Sequence, residues 1–323
     1  MAISQGKRGQ KYNKRAQLAG MDNQKKAYSF VILAVILWST VASAFKISLC
    51  YVDYLELLLY ASFFSTLIIF LVLLVRKKLH LLRTYSFKDY LFAALLGFLN
   101  PFLYYIVLFK AYSILPAQEA ITLNYTWPLM LVILSIPLLK QKIKFLSIVA
   151  IIISFFGVII IATRGNIASL NLSNIKGDFL PLGSAVIWAL FWIFSLKDRH
   201  DVVVKLFASF CFGLIFSIIL IIVRSTSVGF SLPSLKGIFG CAYVGFFEMG
   251  LTFIVWLSAL KFARTTAQVS NFIYITPFLS LFVVSVVIGE KILISTIIGL
   301  VFIITGIILQ RYTNPIKRNL ANG

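Results

Sequence analysis

Glu248 is the residue whose position calls for a chemical role. It stands in Gly245-Phe246-Phe247-Glu248-Met249-Gly250, near the middle of an apolar run over residues 237–261, in a chain of 323 residues with only 10 acids. An acid at the centre of a membrane span costs about 2.5–3.5 kcal/mol on insertion scales, so such groups mark functional positions. Ionised, Glu248 binds an ammonium group; neutral, it carries a proton. The other reading is a protonated carboxyl that satisfies a hydrogen bond between helices. Gly245 and Gly250 beside it let a second helix or a ligand come close.

Asn100 lies 148 positions before Glu248 and is followed by Pro101, which removes a backbone donor and bends a helix. The expectation is that Glu248 and Asn100 face each other and line a polar cavity. Trp38, Tyr125, Trp127 and Trp188 also fall within apolar runs. Their flat faces either stack on an apolar or aromatic solute or serve as core and interface packing. On a regular helix Tyr125 and Trp127 point roughly 200° apart, which leaves Trp38, Tyr125 and Trp188 as candidate walls, with Tyr274 the counterpart of Tyr125. Asn124 either reads a solute carboxylate or amide or pins a neighbouring helix. Glu119 complements a helix dipole from the first turn, and Glu290 beside Lys291 reads as a boundary ion pair. His80 and His200, in basic loops, read as solvated.

The elements that must position these residues are written twice. Tyr125 and Tyr274, Pro128 and Pro277, and Lys142-Ile143 and Lys291-Ile292 are 149 apart; Trp38 and Trp188 are 150 apart, Gly97 and Gly245 are 148 apart, and Gly157 and Gly306 are 149 apart. Self-similarity at a fixed offset is the mark of a duplicated structural unit.

Composition sets the medium. Apolar residues make up 60% and charged ones 12%, against about 45–50% and about 25% in soluble domains, so the chain reads as a multi-pass membrane protein. The net charge of +20 sits in short clusters between apolar runs, a loop pattern that argues against nucleic-acid binding. Three cysteines, an odd number, imply no disulfide framework.

A helix needs roughly 20 apolar residues to cross the hydrocarbon. That ruler gives ten spans, at 28–48, 55–75, 89–112, 117–139, 145–163, 178–196, 203–223, 237–261, 266–288 and 294–311. Continuous Ile, Leu, Val and Phe runs exclude a transmembrane barrel. The expected fold is an all-α integral membrane protein with ten transmembrane helices, arranged as two inverted five-helix repeats. Residues 1–26 form a disordered basic cytoplasmic tail, 27–163 the first repeat, 164–177 an outer connecting loop, 178–311 the second repeat and 312–323 a cytoplasmic tail. Ala42-Ser43-Ala44 resembles a signal-peptide cleavage site, but the first run is as long as a span and Trp38 has its partner at Trp188. With the N-terminus inside, 23 of the 30 Lys and Arg fall in cytoplasmic segments, so both termini are expected in the cytoplasm. Five spans per unit turn the second unit upside down, and inverted repeats with a site at their interface are a recurring transporter plan.

Two five-helix units, Trp38-Ser39 in the first span, the prolines of the fourth and ninth spans, and Gly289-Glu290 closing the ninth resemble the EamA-like repeats of the drug/metabolite transporter superfamily. Asn124-Tyr125-x-Trp127-Pro128 followed by Gln141-Lys142 is similar to the branch containing bacterial aromatic-amino-acid exporters. The first unit has Lys140-Gln141 where the second has Gly289-Glu290, so the closing carboxylate occurs once. The resemblance implies export of small metabolites, but members of the superfamily carry very different cargoes, so the cargo is not inherited; amino acids, aromatic ones included, are the leading expectation, at the cytoplasmic membrane. The expected partners are a small-molecule substrate, protons as a candidate coupling ion, and membrane lipids. The chain has no HExxH, GxSxG, P-loop or paired Cys ligands, so neither enzyme chemistry nor a cofactor is expected. A transporter of another solute class, a membrane enzyme and a structural protein remain the alternatives.

Overall fold

A computed structural model describes residues 2–139, 145–166, 175–195, 197–228, 232–263 and 271–313. Gln141-Lys142, most of the 164–177 connection and the tail beyond 313 lie outside the described residues. Every regular element among those described is helical. Helix α1 covers Ala2–Leu49 and α2 Tyr54–Val75; a 3-10 turn at Leu79–Thr84 leads into α3, Phe87–Gly97. A π segment, Phe98–Leu103, joins α3 to α4, Tyr104–Ile114. Helix α5, Ala117–Asn124, is parted from α6, Trp127–Leu139, by a turn at Tyr125-Thr126. Then come α7, Phe145–Ala162, α8, Ile175–Ser195, and α9, Val202–Val228. A second π segment, Val244–Leu251, joins α10, Leu235–Tyr243, to α11, Thr252–Phe262. A 3-10 turn at Asn271–Ile275 precedes α12, Thr276–Ile288, and α13, Ile294–Thr313, ends the described chain.

Among the described residues, seven helical stretches are long and apolar enough to cross a membrane, including Phe87–Ile114 and Leu235–Phe262, which run through their π segments. Ile148–Ala162, Phe272–Ile288 and Ile294–Leu309 are apolar but shorter. The basic stretch 1–26, expected as a disordered tail, is instead continuous with α1 from Ala2. No proline interrupts the stretch, and its Lys, Arg, Gln and Ala favour a helix against the cost of Gly6, Gly9 and Gly20.

The bundle wears apolar side chains on its outside. Ile215, Ile218, Ile219 and Ile222 form an exposed stripe along α9, and Ile148, Ile152, Phe155 and Ile159 another along α7. In water such stripes would be aggregation surfaces; around a membrane protein they are the lipid contact. Within the bundle, packing crosses between the two halves of the sequence. The first π segment and α3 rest on α9, while the second π segment rests on α2. Glycine makes both approaches possible. A Cβ at Gly97 would meet the Ser209 carbonyl oxygen at 2.2 Å, and one at Gly245 the Ala61 carbonyl oxygen at 2.5 Å.

Helix ends are closed by local chemistry. Asp53 Oδ1 accepts from the Leu55 and Glu56 amides at 2.7 and 3.0 Å, while Glu56 Oε2 accepts from the Asp53 amide at 3.1 Å, a reciprocal capping box. Asp53 also pairs with Arg224 of α9. Lys46 Nζ donates to the Tyr112 and Leu115 carbonyls at 2.9 and 2.8 Å, placing a cation where the end of α4 has unpaired acceptors.

Candidate functional site

The two π segments set the site. In the first, Asn100 leaves helical geometry at φ −148° and ψ 122° ahead of Pro101, whose ring cannot donate to the helix. Asn100 is fully buried, and neither its amide nitrogen nor its oxygen has a partner. In the second, Glu248 is 9% exposed. The Tyr105 hydroxyl donates to Glu248 Oε1 at 3.2 Å, Trp38 is a further neighbour that interacts with the carboxylate, and Oε2 is unpartnered. One turn on, Thr252 Oγ1 donates to the Phe247 carbonyl, an acceptor of the kind that π geometry releases from regular pairing. No hydrogen bond joins Asn100 to Glu248. The residue that reaches the acid from the first half is Tyr105, at the start of α4.

Aromatic rings continue from this point. Tyr104 and Tyr105 stand at 4.7 Å between centroids, Tyr104 and Trp188 at 4.6 Å, Trp188 and Phe253 at 5.5 Å, Phe253 and Trp38 at 6.1 Å, and Trp38 and Trp256 at 5.6 Å. Trp38 and Trp188 thus come together through Phe253. Asn124 joins the same array by polar contacts: the Tyr104 hydroxyl donates to its Oδ1 at 3.4 Å, and its Nδ2 donates to Ser184 Oγ at 2.8 Å. Tyr125 is buried at the turn that breaks α5 from α6, beside Thr276, and Tyr274 lies in the 3-10 turn before α12. Neither makes a ring contact with the Trp38–Trp188 array among the described residues. The break also removes the regular helix from which Tyr125 and Trp127 were expected to diverge.

Tyr104, Tyr105 and Phe253 are the residues that sequence reasoning missed. The signal was available: the 148 offset that pairs Asn100 with Glu248 also pairs Tyr105 with Phe253 and Tyr104 with Thr252.

At one end of the bundle, Glu290 does not pair with Lys291 as expected. Its carboxylate accepts from the Ala117 amide at 2.8 Å and the Gln118 amide at 3.2 Å, capping the start of α5 from the far half of the chain. Free amides at a helix start favour an anion from any element that can reach them. Gln118 strengthens the join, donating from Nε2 to the Lys291 carbonyl at 3.0 Å and accepting at Oε1 from the Leu293 amide at 2.9 Å and Thr296 Oγ1 at 3.0 Å. Glu119, 3% exposed, has more than a helix dipole: Arg164 Nε donates to it at 2.7 Å.

At the opposite end, Lys78 pairs with Asp201. Burial pushes the Asp201 carboxyl up, but hydrogen bonds from Lys78, Val203 and Val204, with the Lys78 charge, hold it below the usual carboxylate range. His200, expected to be solvated, is instead half-buried. Its Nδ1 lies 2.7 Å from Asp198 Oδ1 and its ring 4.2 Å from that of Tyr85. The short Asp-Arg-His-Asp turn folds it back onto the α2–α3 connection. His80 stays exposed.

The sequence profile described as the EamA-like transporter family matches residues 25–163 and again 175–312. The chain belongs to the EamA-like transporter family. This EamA-like transporter is similar to an "uncharacterized transporter" of Clostridium kluyveri, 29% identical over 307 residues that cover 92% of this chain and 96% of the other. It is also similar to the "uncharacterized transporter YoaV" of Bacillus subtilis, 22% identical over 288 residues, 88% of this chain and 96% of that protein. A solved structure titled "Crystal structure of protein" shares the fold with a TM-score of 0.63 at 19% identity, covering 92% of this chain and 99% of that one. The EamA-like chain is therefore a multi-pass membrane transporter. The names of these relatives specify no cargo.

Proposed function

We propose that this transporter exports small amphipathic metabolites across the cytoplasmic membrane, with amino acids, aromatic ones included, as the leading class. The observation that carries this reading is Glu248, a buried carboxylate held on one oxygen by Tyr105 and open on the other. Such a group needs a proton or a cation as its partner. A solute ammonium supplies the cation, and the rings of Tyr104, Trp188, Phe253 and Trp38 offer flat faces to an apolar or aromatic body. Asn100 and Asn124 add amide groups for a solute carboxylate.

In this reading the apolar segments make ten spans, five in each of two inverted repeats, and one repeat rocks against the other about the central site. Two observations support it: the family profile matches twice in succession, and the π interruptions fall at corresponding places in the two matches. The distribution of Lys and Arg favours both termini in the cytoplasm. The Glu290 end then faces outward, and the contacts of Glu290 and Gln118 form an outer latch that must release for cargo to leave. The driving force is the solute's own gradient, or protons exchanging at Glu248.

The test is counterflow in proteoliposomes preloaded with unlabelled amino acids or nucleosides, following labelled uptake at two pH values. Accumulation with an amino acid supports the reading, and a change with pH brings Glu248 into the coupling. Silence across the panel, with folded protein confirmed in the vesicles, removes amino acids as the leading class.

A further inference from the structure

A groove of about 470 Å³ lies between α2, α11 and α1, within the range of roughly 300–1,000 Å³ typical of small-ligand sites. Its origin is the packing at Gly245. There the second π segment is pressed onto α2, but beyond Leu251 helix α11 packs on α1 instead. The two helices part, and Leu71 and Val75 on one side look across to Ile254 on the other, with Phe30 from α1 closing the back. Ser258 does not make the groove polar, because its hydroxyl donates to the Ile254 carbonyl of its own helix at 2.7 Å.

One end of the groove is basic. Arg76, just past the end of α2, is part of its lining. Lys26 stands one turn before Phe30 on α1, and Lys261 about one turn after Ser258 on α11, so both approach the same end. All three are exposed, and none has an ion pair among the described residues. No acid lines the groove.

We propose that this groove is a lipid site: it holds an acyl chain of an anionic phospholipid, whose phosphate rests at Arg76 between Lys26 and Lys261. Leu71, Leu74 and Val75 at its edge are exposed, and in a transporter that spans the bilayer the medium at that edge is hydrocarbon. Apolar walls suit the chain, and a basic cluster at the end of membrane helices selects a negative headgroup. A zwitterionic amino acid gains nothing from these walls, since its charges would lose water without a polar partner. The inference rests on the membrane-transporter assignment and is independent of what Glu248 binds.

The experiment uses the full chain purified in detergent, exchanged with phosphatidylglycerol or phosphatidylcholine of identical acyl chains, and read by native mass spectrometry and thermal stability. The expected result is one retained phosphatidylglycerol per chain, preferred over phosphatidylcholine by at least about fivefold, the scale of a single basic residue beside an anionic headgroup. Arg76→Gln, an exposed change, should cut that preference severalfold. Ser258→Trp should fill the groove and remove the retained lipid of either class. Equal retention of the two lipids by the unaltered chain would overturn the proposal, as would undiminished phosphatidylglycerol in a folded Ser258→Trp protein. Displacement of bound lipid by an amino acid, without headgroup preference, would make the groove a solute portal and overturn it too. No outcome depends on flux, so failure here leaves the counterflow test unaffected.

Discussion

The Tyr105 hydroxyl donates to Glu248 Oε1 at 3.2 Å, across 143 residues of sequence. This contact ties the beginning of α4 to the second π segment and brings the acid against the aromatic array. Glu248→Gln keeps the shape but loses the charge, and should lower amino-acid counterflow by at least about tenfold, in line with the loss of one member of a buried charged pair. Tyr105→Phe should weaken it less, by about fivefold, the roughly 1 kcal/mol net worth of one hydrogen bond. Flux by folded Glu248→Gln protein that equals the unaltered chain at every pH would assign Glu248 to packing.

Trp188 lies between Tyr104 and Phe253, with centroids at 4.6 and 5.5 Å. Replacing it by Leu keeps an apolar side chain and removes the ring face. Apparent affinity for an aromatic solute should fall about fivefold, the scale of one aromatic pair, while that for an aliphatic solute changes little. Equal losses for both would mean that Trp188 only supports the fold.

Glu290 caps α5 through the Ala117 and Gln118 amides. Glu290→Ala should cost about 1 kcal/mol of stability, the usual scale for a lost cap. It should also loosen the latch. A cysteine placed at Ala120, fully buried in this structure, should react faster with an impermeant thiol reagent when Glu290 is absent. An unchanged rate would separate the cap from gating.

Asp201 is held below the usual carboxylate range by Lys78 and two amides, against the push of burial. Its contribution to stability is therefore present above the unfolded value of about 3.9 and is lost as pH falls through the lower folded value. The unaltered chain should lose more melting temperature than Asp201→Asn on acidification below about pH 4. Parallel losses would show that the pair contributes nothing.

The proposed orientation is checked by two exposed positions. A cysteine at Thr84 should be labelled only after the membrane is made permeable, and one at Ser113 in intact cells. The reverse pattern would invert the topology.

How far the sequence reached depends on how local each signal was. Glu248 was legible because an acid in an apolar run is costly wherever the run folds. Trp38 and Trp188 were legible through the repeat, although Phe253, the ring that joins them, looked like any other apolar residue. Tyr105 was legible only through the 148 offset that pairs it with Phe253, since a tyrosine in a span otherwise reads as an interface anchor. Glu290 was misread because its partners lie 172 and 173 residues away, and the only neighbour visible in sequence was Lys291. Pro101 announced a break, but not that the backbone would turn out of helix at Asn100 and resume with π geometry. His200 was placed in water because its loop is charged; the compact turn around Asp198 and its contact with Tyr85 are tertiary facts.

The crossed packing of the π segments bears on how the protein is made. Gly97 and its neighbours rest on α9, which is synthesised more than a hundred residues later. Until α9 has left the ribosome, the surface of α3 and the first π segment that receives it lacks this partner. Those segments must wait in the bilayer, held there by their own hydrophobicity, until α9 arrives to complete them. A chain that stops before α9 should therefore leave that surface uncovered.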